Sequence, residues 1–174
     1  MGREIRRVPA DWEHPTAKRT WQNRESRLQP LFDQPFVVAA REWMDAAIAW
    51  DNGTDPDCAE HKATHPFYWQ WSGNTPNPAY YRPDWPEASR THYQVYETVS
   101  EGTPVTPHFA TEAELVDYLV EHGDESDQKR MTEGRQWSAG WDRKIAESFV
   151  KRAWAPSMII IDGQMFTPST IGDF

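Results

Sequence analysis

The residues best equipped for chemistry lie close together. Cys58, His61 and His65 form a C-x2-H-x3-H run, with Asp55 and Asp57 just before it. Thiolate and imidazole are zinc ligands, and three protein ligands leave a fourth position open for water. A closed site would need Asp55 or Asp57 as fourth ligand, because Cys58 is the one cysteine in the chain. Structural zinc sites usually draw paired ligands from two knuckles, so the run reads first as an ordinary polar turn and second as a metal centre. As a nucleophile, Cys58 needs a base and a third, orienting group. His61 is near in sequence, but that spacing does not bring its ring to the sulfur. No cofactor is expected.

Other catalytic patterns are missing. The sequence holds no G-x-G-x-x-G, no Walker A motif, no G-x-S-x-G and no H-E-x-x-H. Two carboxylate pairs, Glu112 with Glu114 and Asp124 with Asp127, fall at a helix start and in a polar loop. There they favour the helix dipole or solubilise the chain. This weighs against an enzyme and leaves residues 55–65 as the alternative site.

Aromatic residues carry a second kind of chemistry, recognition. The chain has 10 Trp, 6 Tyr and 7 Phe among 174 residues. Tyr68, Trp69, Trp71, Tyr80, Tyr81 and Trp85 gather in a proline-rich stretch, residues 54–92. Platforms that stack nucleobases sit in basic grooves, whereas this stretch lies in the acidic part of the chain. Core packing accounts for some of these rings. Trp69, Trp71 and Trp85 are the candidates for a partner surface, since Trp and Tyr dominate interface hot spots.

The net charge of −9 is unevenly spread. Residues 1–30 carry +3, residues 31–128 carry −14, and residues 129–174 carry +2. The phosphates of duplex DNA would be repelled by such a centre, so no direct duplex binding is expected. An acidic face suits a protein with a basic surface, and Glu97, Glu101, Asp124, Glu125 and Asp127 are the acids expected to meet it. The longest apolar runs are five residues, so no membrane span is expected. No apolar stretch follows the N-terminal charges, which argues against a secretory leader. A lone cysteine fits a reducing cytoplasm.

These residues need elements to position them. Residues 1–30, broken by Pro9, Pro15 and Pro30, read as an extended arm pinned by Trp12 and Trp21. Residues 31–174 read as a single domain. Phe36, Ala39, Ala40, Trp43, Ala47 and Trp50 make one apolar stripe at helical spacing, which predicts a helix from Pro35 to Trp50 ended by Gly53. Residues 54–92 read as a wrapping loop with one short helix around Pro83 to Arg90. Tyr93 to Ser100 alternates like a strand, and Val105 to Phe109 reads as its return at an edge, because of Pro107. Thr111 and Glu114 form a capping box ahead of Leu115, Val116, Leu119 and Val120, with Gly123 as the stop. Ser138 or Asp142 caps a further helix to about Trp154, with Trp141, Ile145, Phe149 and Ala153 inward, and Pro156 closing it. Met158 to Ile161 and Gln164 to Thr167 read as a hairpin around Asp162-Gly163. The sum is α+β: a small, mainly antiparallel sheet with about three helices packed on it, an irregular aromatic segment and an N-terminal arm. The core is expected to join Leu115, Leu119, Trp141, Ile145 and Phe149 to Val95 and Ile160.

Several strings resemble a known group. Arg3 to Pro9 followed by Asp11-Trp12-Glu13-His14-Pro15, the stretch Phe67 to Trp85, and Thr91 to Asp124 are similar to segments of small accessory proteins of tailed phages and prophages. So is the C-terminal part with Gly140-Trp141, Phe149-Val150-Lys151 and Trp154 to Met158. The group is uncharacterised, so the resemblance implies no catalytic residues. It implies a setting, the cytoplasm of a bacterial host. In that setting small acidic proteins often block host machinery, including CRISPR and other anti-phage defences, which is an analogy of context. The expectation is a non-enzymatic inhibitor that occupies a basic, nucleic-acid-binding site on a host protein through an acidic, aromatic-rich face. A metal-binding or enzymatic site at residues 55–65 and a virion assembly accessory are the alternatives.

Overall fold

The computed structural model describes residues 2–17, 27–73, 75–98, 102–124 and 140–156, and the backbone of 159–161 and 164–166. The chain divides into two compact units, residues 1–30 together with 85–174, and residues 31–84. This differs from the expected division into an arm at 1–30 and one domain at 31–174.

The larger unit is built on β1 (Gly2–Val8), expected as part of an arm. It is an inner strand of a four-stranded antiparallel sheet. Its neighbours are β4 (His92–Glu97) on one side and β6 (Trp154–Pro156) on the other, with β5 (Thr103–Pro104) outside β4. Ile5 lies opposite Val95, and Glu4 opposite Tyr96. Strand alternation therefore puts Arg3, Ile5 and Arg7 on one face and Glu4, Arg6 and Val8 on the other.

The first face receives two helices, α4 (Glu112–His122) and α5 (Arg143–Arg152). The Thr111 hydroxyl accepts from the Glu114 N–H at 3.2 Å, and the Glu114 carboxylate accepts from the Thr111 N–H at 3.1 Å. The expected capping box is thus complete, and Gly123 at φ 67° ends α4. Asp142 caps α5 by accepting from the Lys144 N–H at 2.9 Å. Val95, Val105, Leu115, Val116, Leu119, Trp141, Ala146, Phe149 and Val150 form the buried core, and Ile145 packs against it. The side chain of Ile160 lies outside the described residues. Gly140 lets the chain return against α4, since a Cβ there would stand 1.9 Å from the Val120 carbonyl oxygen.

Two boundaries differ from expectation, each for a backbone reason. The return strand pairs two residues early, at Thr103–Pro104, and touches β4 again where Tyr93 and Phe109 exchange bonds of 2.8 and 2.9 Å. Between them the Thr106 hydroxyl accepts the Val95 N–H at 3.1 Å. Helix α5 stops at Arg152 because Ala153 turns left-handed, at φ 58°. Trp154 to Pro156 then runs as an edge strand, a place that tolerates proline. The C-terminal hairpin pairs β7 (Ile159–Ile161) with β8 (Gln164–Phe166). Its expected turn, Asp162-Gly163, lies outside the described residues.

The smaller unit carries α1 (Phe36–Asn52), with Pro35 before its first turn and Gly53 left-handed at φ 71° after its last. A short parallel pair, β2 (Phe32–Pro35) with β3 (Tyr81–Arg82), is tied by Arg82 donating to Asp33 at 2.8 Å. The segment expected as loop holds two short helices, α2 (Cys58–His61) and α3 (Tyr68–Ser72), and a 3-10 turn at Pro78–Tyr80. The short helix expected around Pro83 to Arg90, within the larger unit's stretch from Trp85, is a 3-10 turn at Glu87–Ser89.

Replacing Leu119, fully buried between sheet and helices, by Ala is expected to cost about 2–5 kcal/mol. Thr111→Ala removes the cap and is expected to cost about 1 kcal/mol. Urea unfolding read by circular dichroism measures both, and a smaller loss for Leu119→Ala than for Thr111→Ala would contradict the packing described.

Candidate functional site

The smaller unit is organised around Trp50, which is fully buried on the inner face of α1. Its indole N–H donates to the His65 carbonyl at 3.1 Å. Its own carbonyl, at the helix end, takes the Lys62 ammonium at 2.5 Å and the Cys58 thiol at 3.4 Å. A cation is favourable at that end of a helix. The Trp71 ring lies parallel to Trp50 at 6.0 Å, and the His61 ring stacks on Trp71 at 3.9 Å. His65 meets Trp71 edge-on at 5.6 Å. The C-x2-H-x3-H residues are thus drawn into an aromatic stack and a helix end. Among the described residues no three His, Cys, Asp or Glu side chains are grouped to hold a metal ion.

Trp69 points away from this stack. Helix α3 separates Trp69 from Trp71 by about 200° of rotation, so the two indoles face different sides; Trp71 turns to Trp50 and His61 while staying 37% exposed. Trp69 is 52% exposed and lies parallel to Phe67, which is 58% exposed, at 6.4 Å between ring centres. The Gln70 side chain accepts the Phe67 N–H at 3.1 Å and fixes the start of α3 beneath the pair. Two large, parallel, solvent-facing rings on a braced turn suit recognition, because they offer wide contact area with few rotatable bonds. Trp85 is different. It belongs to the larger unit, is half-buried, and packs edge-on against Trp12 at 4.7 Å.

The expected acids divide sharply. Asp124 is fully buried and ion-paired to Arg3, itself 1% exposed. It is withdrawn from the partner surface: a carboxylate this enclosed holds the fold. Glu97 is half-buried at the end of β4. Glu101, Glu125 and Asp127 lie outside the described residues. The smaller unit has its own acidic excess, eight Asp and Glu against three Lys and Arg in residues 31–84.

The other face of the sheet, covered in part by residues 12–17 and 28–30, carries a polar cluster that the sequence reading missed. The Arg6 guanidinium bonds Glu4 at 2.7 Å and lies over the Tyr96 ring, 4.4 Å from its centre. The Tyr96 hydroxyl donates to Gln94 at 3.0 Å and accepts from the Trp12 indole at 3.1 Å. His14 donates through Nε2 to the Gln29 carbonyl at 2.6 Å and turns Nδ1 toward Tyr96. Burial lowers the His14 pKa below its ordinary 6.5; the Gln29 bond opposes this and Arg6 adds to it. The imidazole is therefore neutral at pH 7. The groups satisfy one another, so the cluster's work is to pin residues 12–17 and 28–30 onto the sheet. The signal for it was Glu4 and Arg6 two apart on one strand, legible once Gly2–Val8 is read as a strand.

Two outcomes follow. Asp124→Asn leaves a buried guanidinium unpaired and is expected to cost about 3–5 kcal/mol, while Arg3→Met combined with Asp124→Leu recovers much of that loss in thermal melts. For His14, the unfolded chain takes up a proton near 6.5 and the folded chain only at lower pH. Its contribution is thus full above 6.5 and falls away as pH drops through the window below it. His14→Gln should remove that part of the pH dependence, measured as the stability difference from the native chain between pH 7.5 and pH 5. Comparison with family models, curated proteins and solved structures finds no match to this chain.

Proposed function

We propose that the protein is a non-enzymatic binding protein of phage origin that blocks a basic, nucleic-acid-binding surface of a host protein in the bacterial cytoplasm. The observation that carries this reading is the exposed parallel pair Phe67 and Trp69 on a unit with an acidic excess. Exposed aromatic anchors supply contact energy, and surrounding carboxylates draw a basic partner in and select its charge. The resemblance of the N-terminal, central and C-terminal strings to phage accessory proteins supports the setting. The His61 and His65 rings contact Trp71 and the Cys58 thiol bonds the Trp50 carbonyl, so these side chains brace the smaller unit next to this surface. Among the described residues no helix is long and apolar enough to cross a membrane.

The reading is tested on a partner captured from host lysate and then purified. Phe67→Ala with Trp69→Ala should weaken binding by at least about 2 kcal/mol, roughly thirtyfold, with the thermal midpoint nearly unchanged because both rings are exposed. Raising salt across the Debye range should slow association more than it speeds dissociation. Undiminished affinity in the double variant, together with a salt-independent association rate, overturns the proposal.

A further inference from the structure

Helix α1 leaves a second apolar surface open, on the side opposite Trp50. Val37 is 59% exposed, Met44 59% and Ile48 56%, with Val38 beside them at 42%. Val37, Arg41, Met44 and Ile48 follow one another at spacings of four, three and four. That is the repeat of a coiled-coil seam, in which alternate layers face a second helix. The inner stripe of the same helix, with Ala39 and Trp50 buried, is already used by the fold. An amphipathic helix of a lone domain has one apolar stripe, and this one has two.

We infer that this stripe is a self-association surface, on which α1 of one copy packs antiparallel against α1 of a second copy. The argument is the stripe's self-complementarity. A two-fold axis passing between Glu42 and Trp43 sets Val37 of each copy opposite Ile48 of the other, and Arg41 opposite Met44. The long Arg41 side chain then reaches past Met44 to Asp45, which flanks the seam next to it. The pairing occurs twice, as a symmetric interface requires. A parallel pairing would instead set Arg41 against Arg41, a like-charge contact within the seam. A basic partner protein fits this stripe poorly, because Arg41 stands at its centre. Four apolar side chains on one helix fall short of the about 800 Å² per partner of a standard interface. The dimer is therefore weak and reversible, and it is sought at high protein concentration.

Sedimentation equilibrium of the full chain should show a concentration-dependent monomer–dimer equilibrium that Met44→Glu with Ile48→Glu abolishes. Both side chains are exposed, so the thermal midpoint at low concentration should not fall. Orientation is read in a Cys58→Ser background: Val37→Cys mixed with Ile48→Cys should give a disulfide-linked dimer, and neither variant alone should. A chain that stays monomeric at its solubility limit overturns the inference. So does a dimer that survives the two glutamates, or a cross-link formed by Val37→Cys alone. A large fall in the midpoint of the glutamate variant also overturns it, since the stripe would then be covered within the chain itself.

Discussion

The larger unit depends on one buried ion pair, Arg3 with Asp124. Arg3 stands near the start of β1, and Asp124 follows the end of α4, 121 residues later. The pair joins the sheet to the helix layer across the core formed by Val95, Leu115 and Leu119. Neither charge would be stable alone in that place, so each requires the other. The pair also selects a register. A one-residue slip of β1 would carry Arg3 to the opposite face and bring Glu4 to the core side. The sheet interior is thus specified by a polar contact as much as by apolar burial.

The other arginines of β1 are treated similarly. Arg6 is held by Glu4 and the Tyr96 ring, and Arg7 lies over the Tyr93 ring at 4.4 Å. A guanidinium is weakly hydrated and planar, which lets it stack on an aromatic face with little loss. The three arginines of β1 are consequently spent inside the fold.

The same chemistry explains what was legible in the sequence. Helices α1 and α4 and strand β4 announce themselves by apolar period and caps, because their burial is apolar. Strand β1 did not, because Arg3 and Arg7 flank Ile5 on the core side and Glu4 and Arg6 precede Val8 on the other, so neither face reads as apolar. Its pairing partner and its counter-charge lie far along the chain, where no local pattern reports them. Helices α2 and α3 were hidden by Pro56, Pro66 and Pro76, which mark turns but do not forbid a short helical turn between successive ones. Composition identified the aromatic segment as packed. Only the geometry of α3 separates Trp71, which stacks on Trp50, from Trp69, which pairs with Phe67 in solvent. Asp124 misled for the opposite reason: a lone acid at a helix end reads as surface unless its distant arginine is seen.

The two units use their side chains in opposite ways. In the larger one, the charges of β1 and the rings of Trp12, Tyr93 and Tyr96 bind one another. In the smaller one, Val37, Met44, Ile48, Phe67 and Trp69 stay in contact with water while the buried Trp50 supplies the support. Leaving such area in water forfeits roughly 25 cal/mol for each Å² that could have been buried. The smaller unit's acidic excess keeps that area from driving indiscriminate association, since like-charged copies repel unless a specific contact offsets the repulsion. An apolar surface guarded by net charge binds only where the partner supplies both shape and the opposite sign. In the proposed complex the opposite sign for the Phe67–Trp69 pair would belong to a basic partner, and in the proposed dimer the α1 stripe would carry it in Arg41.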